Sequence, residues 1–121
     1  LGFGGLCHFD QPWGKGKDLN TRHANGAILS LARRLKDMGA RRQQLDAQII
    51  GGACRLHSNF CHADQCVKMA KRILKKFNIP IVSTDTGGRF GRKVIFNPKS
   101  GEVAVVKTQK LRASDWNCLG S

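Results

Sequence analysis

The chain is short of acid, of aromatics and of long apolar runs, and each shortage removes a class of protein. No apolar stretch approaches the roughly 18–20 residues that a membrane-spanning helix requires, so no membrane span is expected. The glycine-rich start, Leu1–Phe9, has no basic residue ahead of it, which argues against a secretory leader. A cytoplasmic location is the default expectation. Only eight aromatics are present, none of them tyrosine, and no RNA-binding motif is visible, so nucleic acid is not the expected partner. There is no internal repeat and no low-complexity tract.

Eight acidic residues stand against 21 lysines and arginines, for a formal net charge of +13. That imbalance calls for an acidic partner or leaves a solvated basic surface; it speaks to association and not to fold. The five cysteines, Cys7, Cys54, Cys61, Cys66 and Cys118, are odd in number and lie in apolar or helical patterns. They read as mostly reduced thiols.

At 121 residues the chain is one domain, long enough to bury a core. Leu1–Phe9 reads as a strand, and a polar loop follows from Asp10 to about Asn20. Ala24, Ala27, Ile28, Leu31, Leu35 and Met38 recur at three- and four-residue steps, predicting a helix from Thr21 to Met38 capped by Gly39. Ala47–Ile50 is a short strand ending in Gly51-Gly52. A second helix is predicted over His62–Phe77, with Cys66, Val67, Ala70, Ile73, Leu74 and Phe77 on one face and lysines and arginines on the other. Ile79–Ser83 is β-branched and short. Lys93–Phe96 and Val103–Lys107 form a hairpin around the turn residues Asn97–Gly101. The expected fold is α/β, with helices packed on a mixed β-sheet and a C-terminal hairpin. The domain runs over residues 1–108, and 109–121 form a tail.

Three blocks carry a family resemblance. They are Gly4-Gly5-Leu6-Cys7-His8-Phe9 with Pro12; Ala47-Gln48-Ile49-Ile50-Gly51-Gly52-Ala53; and Ile79–Val82 through Asp85-Thr86-Gly87-Gly88 to Gly91-Arg92-Lys93-Val94-Ile95-Phe96-Asn97 and Ser100–Val103. In order and spacing they resemble the chemoreceptor glutamine deamidases of bacterial chemotaxis, a CheD-like family. The resemblance implies a three-layer α/β arrangement and hydrolysis of receptor glutamine side chains to glutamate, with a cysteine attacking the amide and a histidine serving as its base. His8 stands at the position of that catalytic histidine. The implied partners are the chemoreceptor cytoplasmic domain and a chemotaxis adaptor phosphatase; no cofactor is implied.

Departures from the family pattern accompany the match. The family nucleophile lies in a Leu-Gly-Ser-Cys segment well upstream of the histidine, whereas only seven residues precede His8, and Leu119–Ser121 is not that motif. Residues 1–121 are therefore expected to be inactive on their own, yet to bind an acidic partner. Asp10 and Gln11 replace apolar residues, and His23 and Asn25 stand where Tyr and Asp are usual. Phe60-Cys61-His62-Ala63-Asp64 represents an Ile-Gly-x-x-Asn segment. Cys7, adjoining His8, reads as a buried small hydrophobe, while Cys54 could face the same edge as His8.

Two other constellations compete. Cys54, His57, Cys61, His62 and Cys66 are zinc-type ligands within thirteen residues, but they crowd one loop and helix start, so no bound metal is expected. Thr86–Lys93 is glycine-rich, yet it lacks the spacing and the following helix of a phosphate loop and reads as a tight turn. The basic helix faces, with Arg41 and Arg42 and the Arg89, Arg92, Lys93 group, are the candidate contacts for a polyanion such as nucleic acid. An enzyme, a binding scaffold on the same frame, and a metal- or nucleic-acid-binding module are the readings left open.

Overall fold

The computed structural model describes residues 4–54 and 61–108. Helix α1 spans Ala24–Asp37 and helix α2 spans His62–Lys76. Strand β1 (Ala47–Gly51) pairs in parallel with β2 (Ile81–Thr86), and β3 (Gly91–Phe96) pairs antiparallel with β4 (Val103–Thr108). The α/β class, the parallel and antiparallel pairings and the C-terminal hairpin are as expected. The strands form two separate ladders, with β3 in contact with β1 where the two meet. The tail, 109–121, and His57 lie outside the described residues. No helix among the described residues is long and apolar enough to cross a membrane.

Both helices end in the same way. After α1, Gly39 (φ 105°) donates to the Lys36 carbonyl and Ala40 to the Leu35 carbonyl. After α2, Asn78 (φ 57°) donates to Lys75 and Ile79 to Leu74. This double bond pattern closes the last turn around a left-handed residue, a conformation glycine adopts freely and asparagine tolerates. Ile79 and Leu74 then meet in the core.

That core joins Ala24 and Ile28 of α1 to Ala70, Ile73 and Leu74 of α2, with Ile49 of β1 and Ile79 beside them. Met38 departs from the expected stripe. It is the cap residue of α1, past the last turn that faces the core, and is 61% exposed.

Two element starts moved, each for a local reason. The first helix starts at Ala24 instead of Thr21 because the preceding turn is held by its own bonds. Arg22 N–H donates to Asn20 Oδ1 at 2.8 Å, and Asn20 N–H donates to His23 Nδ1 at 3.1 Å. The loop then pairs with the helix entry, Gln11 N–H donating to the Arg22 carbonyl and Ala24 N–H to the Gln11 carbonyl. β2 starts at Ile81 because Ile79 caps α2 and Pro80 has no N–H to give. The Pro80 carbonyl still accepts from Ala47 at 2.9 Å.

The expected strand at Leu1–Phe9 is not formed by its described residues, 4–9. Among the described residues no strand pairs with them. Their bond to the hairpin is Gly4 N–H to the Pro98 carbonyl at 2.8 Å. The chain is extended nonetheless: Cys7 and Phe9 pack against the core while Leu6 and His8 face solvent.

Arg92, at the start of β3, ties the two ladders. Its side chain is 4% exposed. Nη1 donates to the carbonyls of Gly87 (2.7 Å), Phe90 (3.1 Å) and Gly51 (3.4 Å), and Nη2 donates to Asp85 Oδ1 at 3.1 Å. Lys107 of β4 approaches the same carboxylate oxygen at 3.6 Å. Arg92 is thus internal, which corrects its placement among candidate contacts for a polyanion. The Arg92→Lys variant keeps the charge but loses the planar fork that reaches several acceptors at once. It should lose about 2–4 kcal/mol of stability, since bonds to charged groups and one-sided loss of a buried pair are costly. Urea unfolding monitored by circular dichroism measures this.

The turns around Arg92 supply a second test. Gly52 (φ 78°) and Gly87 (φ 77°) both occupy the left-handed region. A Cβ at Gly87 meets open space, whereas one at Gly52 would sit 2.5 Å from Val67 Cγ2. Gly87→Ala should cost roughly 1–2 kcal/mol for the backbone alone. Gly52→Ala should cost about 2–4 kcal/mol, the excess being overpacking. Part of that excess should return in Gly52→Ala/Val67→Ala, read from the same urea transitions.

Candidate active site

β1 and β2 run the same way, so Gly51 and Thr86, partners in the register, finish at one end of the sheet. Beyond them Gly51-Gly52 and Gly87-Gly88 turn the chain, with Gly87 N–H donating to the Gly51 carbonyl at 3.0 Å. Cys54 N–H donates to the Gly88 carbonyl at 2.9 Å. α2 begins over these turns. The Ala63 carbonyl lies 3.5 Å from where a Gly52 Cβ would sit. In open parallel sheets this end, outside the carboxyl ends of the strands, is where ligands bind.

His62, the first residue of α2, brings the N-terminal segment to the same end. Its Nε2–H donates to the Asp10 carbonyl at 2.9 Å, an acceptor that fixes the proton on Nε2. His8 is two residues before Asp10, within roughly 7 Å along the chain. It is exposed, and its ring makes no hydrogen bond among the described residues. Cys7 points the other way. It packs against the core, and burial pushes its thiol above the ordinary range.

The departures from the family pattern prove to be partnered. Asp10 takes Arg22 through two bonds, Nε to Oδ1 at 3.2 Å and Nη2 to Oδ2 at 3.1 Å. The exposed Arg22 guanidinium is correspondingly held protonated by that carboxylate. Asn25, in the first turn of α1, grips Gly14 on both sides. Its Oδ1 accepts from Gly14 N–H at 3.1 Å and its Nδ2 donates to the Gly14 carbonyl at 2.9 Å. His23 occupies the space a side chain at Gly14 would need. The loop after His8 is thereby fastened to α1, a set of partners that spacing in the sequence could not reveal.

Cys54 and Cys61 form a disulfide, with Cα atoms 6.4 Å apart. This corrects the expectation of mostly reduced thiols; among the described cysteines, Cys7 and Cys66 lie outside the disulfide. The reason is tertiary. The chain leaving β1 returns to the N-cap of α2, and the two thiols meet there. Cys54 therefore offers no thiol to His8 in this state. The bond also withdraws two of the five zinc-type residues. His62 and Cys66 remain described, Cys66 buried within the apolar stripe of α2, and no group of three ligands forms among the described residues.

The glycine-rich Thr86–Lys93 stretch is a turn into β3. Its Gly87 and Phe90 carbonyls converge on the Arg92 cation, the reverse of a cradle of N–H groups for an anion. Arg41, Arg42, Arg89 and Lys93 are exposed, with the Arg42 guanidinium 6.0 Å from the Phe77 ring. A shallow depression between Leu19–Thr21 and Gly26–Arg34 lies on the outer side of α1 and contains no residue of the Gly-Gly end.

The chain is 34% identical over 114 residues to a probable chemoreceptor glutamine deamidase CheD of Methanococcus vannielii, covering 90% of this chain and 74% of that protein. It is 35% identical over 106 residues to the chemoreceptor glutamine deamidase CheD of Thermotoga maritima, covering 86% and 68%. A probable counterpart from Agrobacterium fabrum is 38% identical over 122 residues, covering 94% and 67%. The chain thus spans about two thirds to three quarters of the length of these relatives. Residues 6–107 match the family model for CheD chemotactic sensory transduction, and the chain belongs to that family.

Proposed function

We propose that this chain forms most of a protein-glutamine deamidase that acts on chemoreceptor glutamines, with His8 as its general base. The reading is supported by the His8 ring, which is exposed, has no hydrogen-bond partner among the described residues, and lies two residues before Asp10, whose carbonyl takes the His62 bond. In the reaction a cysteine thiol gives its proton to the imidazole, and the thiolate sulfur attacks the amide carbon. The imidazolium then protonates the leaving nitrogen, releasing ammonia and a glutamyl thioester. Water, deprotonated by the same imidazole, hydrolyses the thioester to glutamate. The partner implied is the cytoplasmic domain of a chemoreceptor, with an adaptor phosphatase as a second, and the setting is the cytoplasm.

The attacking thiol is not among the cysteines described. Cys54 and Cys61 are bonded to each other, Cys66 is buried, and Cys7 is held protonated by burial. Residues 1–121 alone should therefore release no ammonia from a receptor fragment. Turnover by this stretch that disappears in Cys54→Ser would place the nucleophile at Cys54 and overturn the assignment.

In the full-length protein, His8→Ala should lower ammonia release by about 10²–10⁴-fold, the usual contribution of a positioned acid–base group. Near-normal turnover would sink the role of His8. Cys7 supplies the matching control. Because burial raises its pKa, its thiolate fraction at a given pH is smaller than that of a free cysteine. Iodoacetamide should alkylate it more slowly than a cysteine peptide at pH 8, as read by mass spectrometry, and Cys7→Ser should leave turnover about unchanged.

A further inference from the structure

α2 divides its circumference into two halves. At about 100° per residue, the buried Ala63, Cys66, Ala70, Ile73 and Leu74 cluster on one side. Lys68, Lys71, Arg72, Lys75 and Lys76, all exposed, fall within an arc of about 140° on the other. One acid, Asp64, shares that side, and it is engaged by Lys68 at 3.0 Å. Lys71, Arg72, Lys75 and Lys76 have no carboxylate partner among the described residues. Several of these cations are three or four positions apart and repel one another. The helix dipole favours Lys75 and Lys76 in the last turn, but not Lys71 and Arg72. Solubility does not require a single-sign face either, since mixed charges serve it.

We propose that this face of α2 is an exosite for an acidic helical segment of the substrate protein, a proposal that rests on the deamidase reading above. The alternatives fit the surface less well. A nucleic-acid site would be expected to interleave aromatics with the cations, and this arc contains none. Four of its five cations are lysines, whereas bidentate phosphate recognition favours arginine. A membrane-surface helix would need apolar residues beside the cations, and those of α2 are turned into the core. Carboxylates repeating every three or four residues on a partner helix match lysines repeating at the same step.

The placement suits a substrate contact. α2 starts at the candidate site, where His62 meets Asp10, and runs away from it. At a rise of 1.5 Å per residue, Lys68 is about 9 Å and Lys76 about 21 Å along the axis from His62. A segment bound there adds affinity without touching the reacting atoms, so its loss should raise KM and leave kcat alone.

The test uses the full-length protein with four exposed charges neutralised on α2 (Lys71→Gln/Arg72→Gln/Lys75→Gln/Lys76→Gln). An equal-charge control is made elsewhere (Lys15→Gln/Lys17→Gln/Arg33→Gln/Arg34→Gln). The probe is a fluorescein-labelled helical peptide with glutamate at every third or fourth position, read by anisotropy beside a DNA duplex and anionic vesicles. The α2 variant should bind the peptide about tenfold more weakly, with the control within about twofold, and wild-type affinity should fall with salt. In ammonia release from a receptor fragment, its KM should rise about tenfold at constant kcat. Equal weakening by both variants, or tighter binding of DNA or vesicles than of peptide, overturns the exosite. Peptide binding at α2 without any turnover sinks the deamidase reading alone; normal turnover with unchanged KM in the α2 variant sinks the exosite alone.

Discussion

The guanidinium of Arg92 reaches both ladders and both glycine turns. Among the described residues β1 pairs with β2 and β3 with β4, and no strand pairing joins the two ladders. A buried cation is costly unless its charge and donors are met. Asp85 meets the charge, and three carbonyls take the remaining Nη1 donation, so the Gly51 and Gly87 turns are held wherever the guanidinium is held. Nε remains without a partner, which makes the bonds that do form more consequential. Because α2 begins over Gly52, the constraint extends from a strand start to a helix start, and through His62 to the segment bearing His8.

On the other side of that segment, the unusual residues of this chain work as a set. Asp10, His23 and Asn25, which depart from the expected family residues, each have a partner here. Asp10 holds Arg22, Asn25 holds Gly14, and His23 fills the hollow that Gly14 leaves open. A loop tied at two points to α1 positions the residues just before it, and His8 is among them.

Much of the fold was legible because it depends on local rules. Apolar spacing marked both helices, and Gly39 marked the end of α1 through the backbone freedom it alone provides. Asn97 and Gly101 marked the hairpin turn, where the Asn97 carbonyl accepts from Gly101 N–H at 2.8 Å and its side chain accepts from Lys99 N–H at 3.0 Å. What escaped the sequence depends on segments distant from one another. Arg92 reads as one more surface cation until Gly51 is brought beside it. Cys54 and Cys61 read as thiols until the chain returns to α2. Leu1–Phe9 reads as a strand, but a strand needs a paired neighbour, and residues 4–9 have no strand paired to them among the described residues. His8 was singled out through the motif around it. Its solvent exposure, and the turning inward of Cys7, are consequences of packing that the motif does not encode.

α2 brings three requirements together without conflict. Its N-terminus meets the site, its apolar stripe faces the core, and its cations face solvent. The helical repeat keeps the last two on opposite sides, and length separates the first from the third. Lys71 to Lys76 lie roughly 13–21 Å along the axis from His62, beyond the screening length of about 8–10 Å at ordinary salt. On the reading proposed above, binding strength on this face can therefore vary with charge or salt while the chemistry assigned to His8, at the other end of the helix, stays as it is.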